Sequence, residues 1–334
     1  MGNTQKKLFL SHVDLDGVSA FILLYYFRMD KEFDTIVGRD YVFEEGAGER
    51  DDLYQYDEIF MVDLSLPQDL YEDLIAKGKK ITIFDHHESS QWMIGLPNVT
   101  HSMDKCGTKL FYEYCKEKYP EKDKSIVSEF VELVNAYDLF LTDSPLWVDA
   151  QNMNRIMYKM YLWYPEDRPV VEKAMLFIQF EIDKMENLDT WRWTQKEQRM
   201  INVAIDRENL EYKNFMSHLQ LRRDTKGYIF GISKLSAKIS IVAYNYLKDN
   251  PQIQYVVIQN CFRELNTRLS TRTQKDDFSL PENFSMVKGH AKAAGGEWAS
   301  MEEVKQFMSG DIWSLSYIDE TWQSMKYHMK KDLT

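Results

Sequence analysis

The chain has 334 residues, enough to bury a sizeable core and to make two domains rather than one or three. Its 41 Lys and Arg against 53 Asp and Glu leave a net charge of -12, which excludes a general coat for long duplex DNA, because such binding rests on neutralising many phosphates. Small or short anionic substrates stay within reach where metals reverse the charge locally.

The opening stretch MGNTQKKLFL lacks the apolar segment of a secretion signal, and Lys6 stands where a myristoylation signal wants Ser or Thr. KLFLSHVD predicts a strand and Val18 to Met29 a helix entered through a Gly turn; the run FILLYYF is far too short to span a bilayer. Within SHVDLDG, His12, Asp14 and Asp16 alternate, so in an extended strand they would share one face, an imidazole with two acids. EIFMVDLSL and KKITIFDHH read as further strands, separated by the helical PQDLYEDLIAKG. Strands alternating with helices predict an α/β fold with a parallel sheet.

Helical patterns then run from Lys105 to about Lys184, and TQKEQRMINVAIDRENLEYKNFMSHL reads as a long polar helix of the kind that bridges domains. Beyond it, YIFGIS, IQYVVIQNCF and NTRLSTR are strand candidates, with a helix around Ala237 to Leu247, giving a smaller α/β module with a mixed sheet. The expected organisation is a catalytic domain over 1–189, a helical linker over 190–227 and a second domain over 228–334. Cys106, Cys115 and Cys261 form no CxxC pair, which argues against a disulfide framework or a zinc site and fits a soluble protein of the reducing cytoplasm.

The acids of the first module recur where strands end: Asp14 and Asp16, then Asp63, then Asp85 followed by His86 and His87. In parallel sheets the carboxyl ends of the strands share one rim, and ligands bind there. Asp63 alone would pass as an ordinary turn or cap residue, but three segments together converge on one place. Carboxylates crowded there would raise one another's pKa unless cations sat among them, and acids with imidazoles and no sulfur suit manganese. Asp138 in NAYDLF, which ends an apolar helical pattern, is the fourth candidate carboxylate.

SHVDLDG, the lone Asp of VDLS, FDHH and the downstream GHAKAAGG (Gly289 to Gly296) resemble, in order and spacing, the motifs of the DHH phosphoesterase superfamily, in the branch with a DHH-associated C-terminal domain. The compact layout is similar to nanoRNases that degrade short RNA rather than to the larger RecJ-type exonucleases. The resemblance implies that Asp14, Asp16, Asp63, His86 and Asp138 hold two Mn2+ ions, with Mg2+ or Co2+ as substitutes and Asp63 bridging. His12, two residues before Asp14, fills a slot that varies in the family. His87 is implied to face substrate as the catalytic histidine, with Asp85 orienting a ligand. Arg272, Gly289, His290, Ala294 and Gly295 are implied to bind a substrate phosphate. Tyr137 and Phe140, beside Asp138, are expected only to pack its helix.

The resulting expectation is a two-metal exonuclease that releases 5′-mononucleotides from short single-stranded RNA, with no membrane or long-duplex partner and a homodimer left open. The rival readings are a cyclic dinucleotide or phosphoadenosine phosphate phosphatase, a RecJ-like single-strand DNA exonuclease, and a non-catalytic nucleotide-binding protein.

Overall fold

A computed structural model describes residues 6–37, 53–161, 170–235, 239–260, 268–284, 287–290, 292–297 and 306. Cys261 and the first residues of the Ala237 helix and of NTRLSTR lie outside the described residues. The chain divides into two compact units, Met1–Ala204 and Ile205–Thr334.

In the first unit β1 (Lys7–Ser11), β2 (Asp34–Val37), β3 (Glu58–Val62), β4 (Lys80–Asp85) and β5 (Val99–His101) form an all-parallel sheet in the order β2-β1-β3-β4-β5. Side chains alternate across it with the period of a strand. Leu8, Leu10, Ile59, Met61, Ile81 and Ile83 pack with Leu70 and Leu74 of α2 (Gln68–Ala76). The intervening Phe9 meets Phe21 of α1 (Leu15–Tyr26) at 5.0 Å between ring centroids and Phe111 of α3 (Gly107–Lys118) at 5.3 Å, and Phe84 meets Phe111 at 5.4 Å. Helices therefore cover both faces, as the buried apolar strands require. Three more helices, α4 (Ser125–Asp138), α5 (Trp147–Tyr161) and α6 (Val170–Asn187), complete the layer on the α1 side, with α4 and α6 packed on α1.

The helix α7 (Gln195–His218) begins with a capping box. The Thr194 N–H donates to the Glu197 carboxylate at 2.6 Å and the Glu197 N–H to the Thr194 hydroxyl at 3.2 Å. The division between the units falls inside this helix.

The second unit carries a six-stranded mixed sheet, formed by β6 (Gln220–Arg223), β7 (Ile229–Leu235), β8 (Tyr255–Asn260), β9 (Arg268–Arg272), β10 (Val287–His290) and β11 (Ala293–Glu297), in the order β10-β11-β9-β8-β7-β6. Only the β7–β8 pairing is parallel. One face buries Phe230, Tyr255, Phe278 and Phe284. The other packs Val256 and Ile258 on Val242, Ala243 and Tyr246 of α8 (Ile239–Asp249) and on Phe215 of α7.

One local expectation is corrected. The first strand stops at Ser11 and α1 starts at Leu15 rather than Val18, so His12, Asp14 and Asp16 do not share a strand face. The reason is capping: the Asp14 carboxylate accepts the Gly17 N–H at 3.1 Å, which ends the extended chain and opens the helix. Glycine is required at 17, where a Cβ would lie 2.2 Å from the His12 carbonyl oxygen. GHAKAAGG lies in two paired strands, with Gly289 opposite Ala294 and His290 opposite Ala293.

Candidate metal centre

The sheet order reverses between β1 and β3: the chain leaves β1 for β2 on one side, then returns to β3 on the other. At such a switch point the loops beyond the carboxyl ends part and leave a crevice. Around it stand His12 and Asp14 after β1, Asp16 in the first turn of α1, Asp63 after β3, Asp85 at the end of β4, and His86 and His87 just beyond. Asp138 reaches the same place from the last residue of α4.

Asp63 sits at the middle. Its backbone is left-handed, φ 58°, a conformation that Asp and Asn tolerate better than most residues. The turn is held by the Asp63 N–H donating to the Phe84 carbonyl at 2.9 Å and by the Ser11 hydroxyl donating to the Val62 carbonyl at 2.7 Å. One carboxylate oxygen, Oδ1, lies 3.2 Å from His86 Nε2; the other, Oδ2, lies 3.8 Å from His12 Nδ1. His12 Nδ1 is also 2.9 Å from Asp14 Oδ2, and His86 Nε2 is 3.2 Å from Asp138 Oδ2 and 3.8 Å from Asp16 Oδ2. Three interlocking sets each bring one ligand atom per residue within 4.8 Å of one another: His12, Asp14 and Asp63; Asp16, His86 and Asp138; and Asp63, His86 and His87.

Sequence reading missed the groups that hold Asp16. The Gly107 and Thr108 N–H groups, in the first turn of α3, donate to its two oxygens at 2.7 and 2.8 Å, and the Thr108 hydroxyl donates to its carbonyl. An exposed helix start suits a carboxylate, because its N–H groups lack intrahelical partners. Gly107 admits this approach: a Cβ there would lie 2.7 Å from the Asp63 nitrogen. Asn135 supports the same turn by accepting the Cys106 N–H at 2.9 Å. The contact lies 91 residues from Asp16, and the sole sequence sign was CGTK opening a helical pattern.

Asp85 is fully buried and its Oδ1 lies 2.7 Å from His87 Nδ1. The His87 carbonyl accepts the Ser90 hydroxyl at 2.7 Å and lies 3.0 Å from His101 Nε2. His87 is thus fixed from behind while a third of its side chain stays exposed.

Electrostatically the centre is short of positive charge. Burial, reinforced by Asp14, Asp16 and Asp138, pushes Asp63 well above the usual carboxylate range. Burial, with Asp16, Asp14 and Asp85, does the same to Asp138. Burial also works against ionised Asp14 and Asp85, but hydrogen bonds and charge from His12 and His87 bring each down to about 2. Burial lowers the pKa of His86; for His87 it is outweighed by Asp85, which raises it. Within the centre, Oδ2 of Asp63, of Asp85 and of Asp138 is buried without a hydrogen-bond partner. Buried carboxylate oxygens that lack hydrogen-bond donors are what divalent cations satisfy, and the oxygen and nitrogen donor set suits Mn2+ or Mg2+ better than a thiolate-seeking metal.

In the second unit Arg272 ends β9, opposite Ala293 of β11. Its Nη2 and Nε donate to the Ser240 hydroxyl at 3.0 and 3.3 Å, and Nη1 to the Thr271 and Ala294 carbonyls at 2.7 and 3.3 Å. Ala294 and Gly295 lie in β11, next to β9, and Gly289 and His290 in β10, one strand further out.

A doubly wound sheet with carboxylates and imidazoles converging at its switch point defines a metal-site α/β domain. Residues 7–136 match the DHH family, N-terminal domain. Three solved structures share the fold. The DHH domain of a member of the s1p family of ribosomal proteins is 13% identical with a TM-score of 0.59, over 93% of this chain and 87% of that one. PggH, a pGpG-specific phosphodiesterase from Vibrio cholerae, is 14% identical with a TM-score of 0.52, over 92% and 97%. RecJ from Thermus thermophilus in complex with Mn2+ is 14% identical with a TM-score of 0.53, over 92% of this chain and 52% of RecJ. No curated protein matches the sequence. Among the described residues no helix is long and apolar enough to cross a membrane.

Proposed function

We propose that the chain is a metal-dependent phosphodiesterase that hydrolyses short RNA oligonucleotides, down to dinucleotides, to 5′-mononucleotides in the cytoplasm. The observation that carries this reading is Asp63, a buried carboxylate common to two ligand sets, with one oxygen toward each and one of them lacking a hydrogen-bond partner. His12, Asp14 and Asp63 would hold one divalent ion, and Asp16, His86 and Asp138, with Asp63 between, a second. Such ions polarise a phosphoryl group and make water nucleophilic at neutral pH. The likeness to a pGpG-specific phosphodiesterase over 92% of this chain supports a linear dinucleotide within the substrate range.

The chain's own groups do the rest. His87, its Nδ1 turned to Asp85 and its pKa raised, presents Nε2 as a proton donor to the oxygen that leaves phosphorus as water adds and the P–O bond breaks. Asp85 keeps that ring in one orientation and stabilises its charged form. Arg272, held by Ser240 and the Thr271 and Ala294 carbonyls, is the proposed contact for a second phosphate, with the paired strands β10 and β11 beside it.

The test is turnover of two- to five-nucleotide RNAs, cyclic dinucleotides, phosphoadenosine phosphate and long single-stranded DNA with Mn2+, Mg2+ or chelator, sizing products over time. Metal-dependent release of 5′-mononucleotides from the short RNAs, faster than turnover of the other substrates, is expected. Preference for any of the others, or binding without turnover, would replace this reading.

A further inference from the structure

We propose that Phe140 is the nucleobase-stacking residue of this centre, the side chain that makes it take nucleotides rather than phosphodiesters in general. The inference rests on the phosphoesterase reading above and names what that site recognises.

The argument starts from the backbone. Helix α4 ends at Asp138, and the Phe140 N–H donates to the Tyr137 carbonyl at 3.1 Å while the Leu141 N–H donates to the Ala136 carbonyl at 2.9 Å. Phe140 thus occupies the left-handed position that closes a helix, with φ 55°. Glycine is the usual occupant, since a side chain there is strained, and a bulky one is an outlier. Strain kept two residues beyond a carboxylate of the centre is a pointer to use.

The ring's surroundings agree. Phe140 stands edge-on to Trp147, 4.7 Å between centroids at 68°, and Trp147 lies nearly parallel to Tyr137 at 6.1 Å and 12°. The Tyr137 hydroxyl in turn accepts the Asn154 amide at 2.6 Å. Trp147 is 7% exposed, whereas Phe140 is 36% exposed, so a buried tier supports a ring that still meets solvent. Leu141 and Leu146 of the loop that follows, and Val148 in the first turn of α5, are exposed as well. Had the ring served only to pack α4, burial beside Trp147 would satisfy it. A phosphodiester at the carboxylates must carry its sugar and base outward, and Phe140 follows Asp138 by two residues; an aromatic face stacks any base, giving selection for a base without selection for its identity.

The experiment compares Phe140→Leu, Phe140→Ala and Phe140→Trp with the native protein, on a diribonucleotide and on the same dinucleotide with abasic residues, in Mn2+. Thermal unfolding checks that each variant is folded, and leucine keeps bulk while removing the aromatic face. Loss of the stack should raise KM for the diribonucleotide about ten-fold while kcat changes little, the penalty should shrink on the abasic substrate, and Trp should restore KM. Equal penalties on both substrates, a loss confined to kcat, or no loss overturns the proposal. A second arm measures equilibrium binding of adenosine 5′-monophosphate and ribose 5-phosphate with Mn2+. Tighter binding of the former that disappears in Phe140→Leu supports the stack even if the native protein turns over neither dinucleotide, which would refute the catalytic reading alone; equal binding of the two ligands by the native protein overturns the stack.

Discussion

Replacing Asp63 with Asn should stabilise the metal-free protein and remove its response to metal. Asn keeps the shape and accepts the left-handed backbone at this position, φ 58°, so the change is confined to charge. The Asp14 and Asp63 ligand oxygens lie within 4.8 Å. At that separation and an effective dielectric constant of about 20, two full charges repel by about 3.5 kcal/mol. Asp14 is 38% exposed and paired with His12 at 2.9 Å, so solvent and the imidazole reduce the gain on neutralising Asp63 to about 1–2 kcal/mol. For a unit of this size, that raises the midpoint by about 2–8 °C in chelator. The native protein, by contrast, gains about 2.7 kcal/mol from a free ion at a hundred times its dissociation constant. Calorimetry or far-ultraviolet dichroism of both proteins in chelator and in Mn2+ reads both effects. A midpoint lowered in chelator, or a Mn2+ shift equal to that of the native protein, would refute repulsion at Asp63 and its place between two ions.

Asp16→Asn should do the opposite in chelator: its amide would face the Gly107 and Thr108 N–H groups, donor against donor, costing about 1–3 kcal/mol and lowering the unfolding midpoint. Asp85→Asn tests the His87 pair through pH. The lowered Asp85 contributes stability that is present above its unfolded pKa of about 4 and lost as pH falls toward 2, whereas the raised His87 contributes below its unfolded pKa of about 6.5 and fades as pH rises through its folded value. The native-minus-variant stability in chelator should therefore peak between about pH 4 and 6.5, as read by urea unfolding across pH, and the alkaline limb of kcat/KM should move to lower pH in the variant. Arg272→Lys, which keeps the charge and loses the planar fork, should weaken short RNA binding by about 1.5–3 kcal/mol in titration calorimetry while Mn2+ affinity is unchanged.

The sheet of the first unit was legible because its central strands are apolar runs bounded by acids: Ile59 to Val62 leads to Asp63, and Ile81 to Phe84 leads to Asp85. The shared rim followed from parallel topology alone. β2 and β5 are short, and β6 is polar and largely exposed, so none carries the apolar signal on which strand reading depends. Alternation misled at His12, Asp14 and Asp16, where a cap overrides the strand period. The donors at Gly107 and Thr108 were signalled only by CGTK opening a helical pattern, and the φ of Asp63 and of Phe140 carries no sequence mark. Phe140 was expected to do no more than pack α4, whereas a third of its surface meets solvent.

The hold of α3 on Asp16 also sets an order of events during synthesis. A nascent chain that has released residues only through Asp104 would already carry His12, Asp14, Asp16, Asp63 and His86, yet nothing would hold Asp16 in place, since its donors come 91 and 92 residues later. Asp138 arrives later still, at the end of α4. Closing contacts over such separations is slow compared with forming the helices themselves. The full set of buried carboxylates can therefore come together only once the chain through Asp138 has been made.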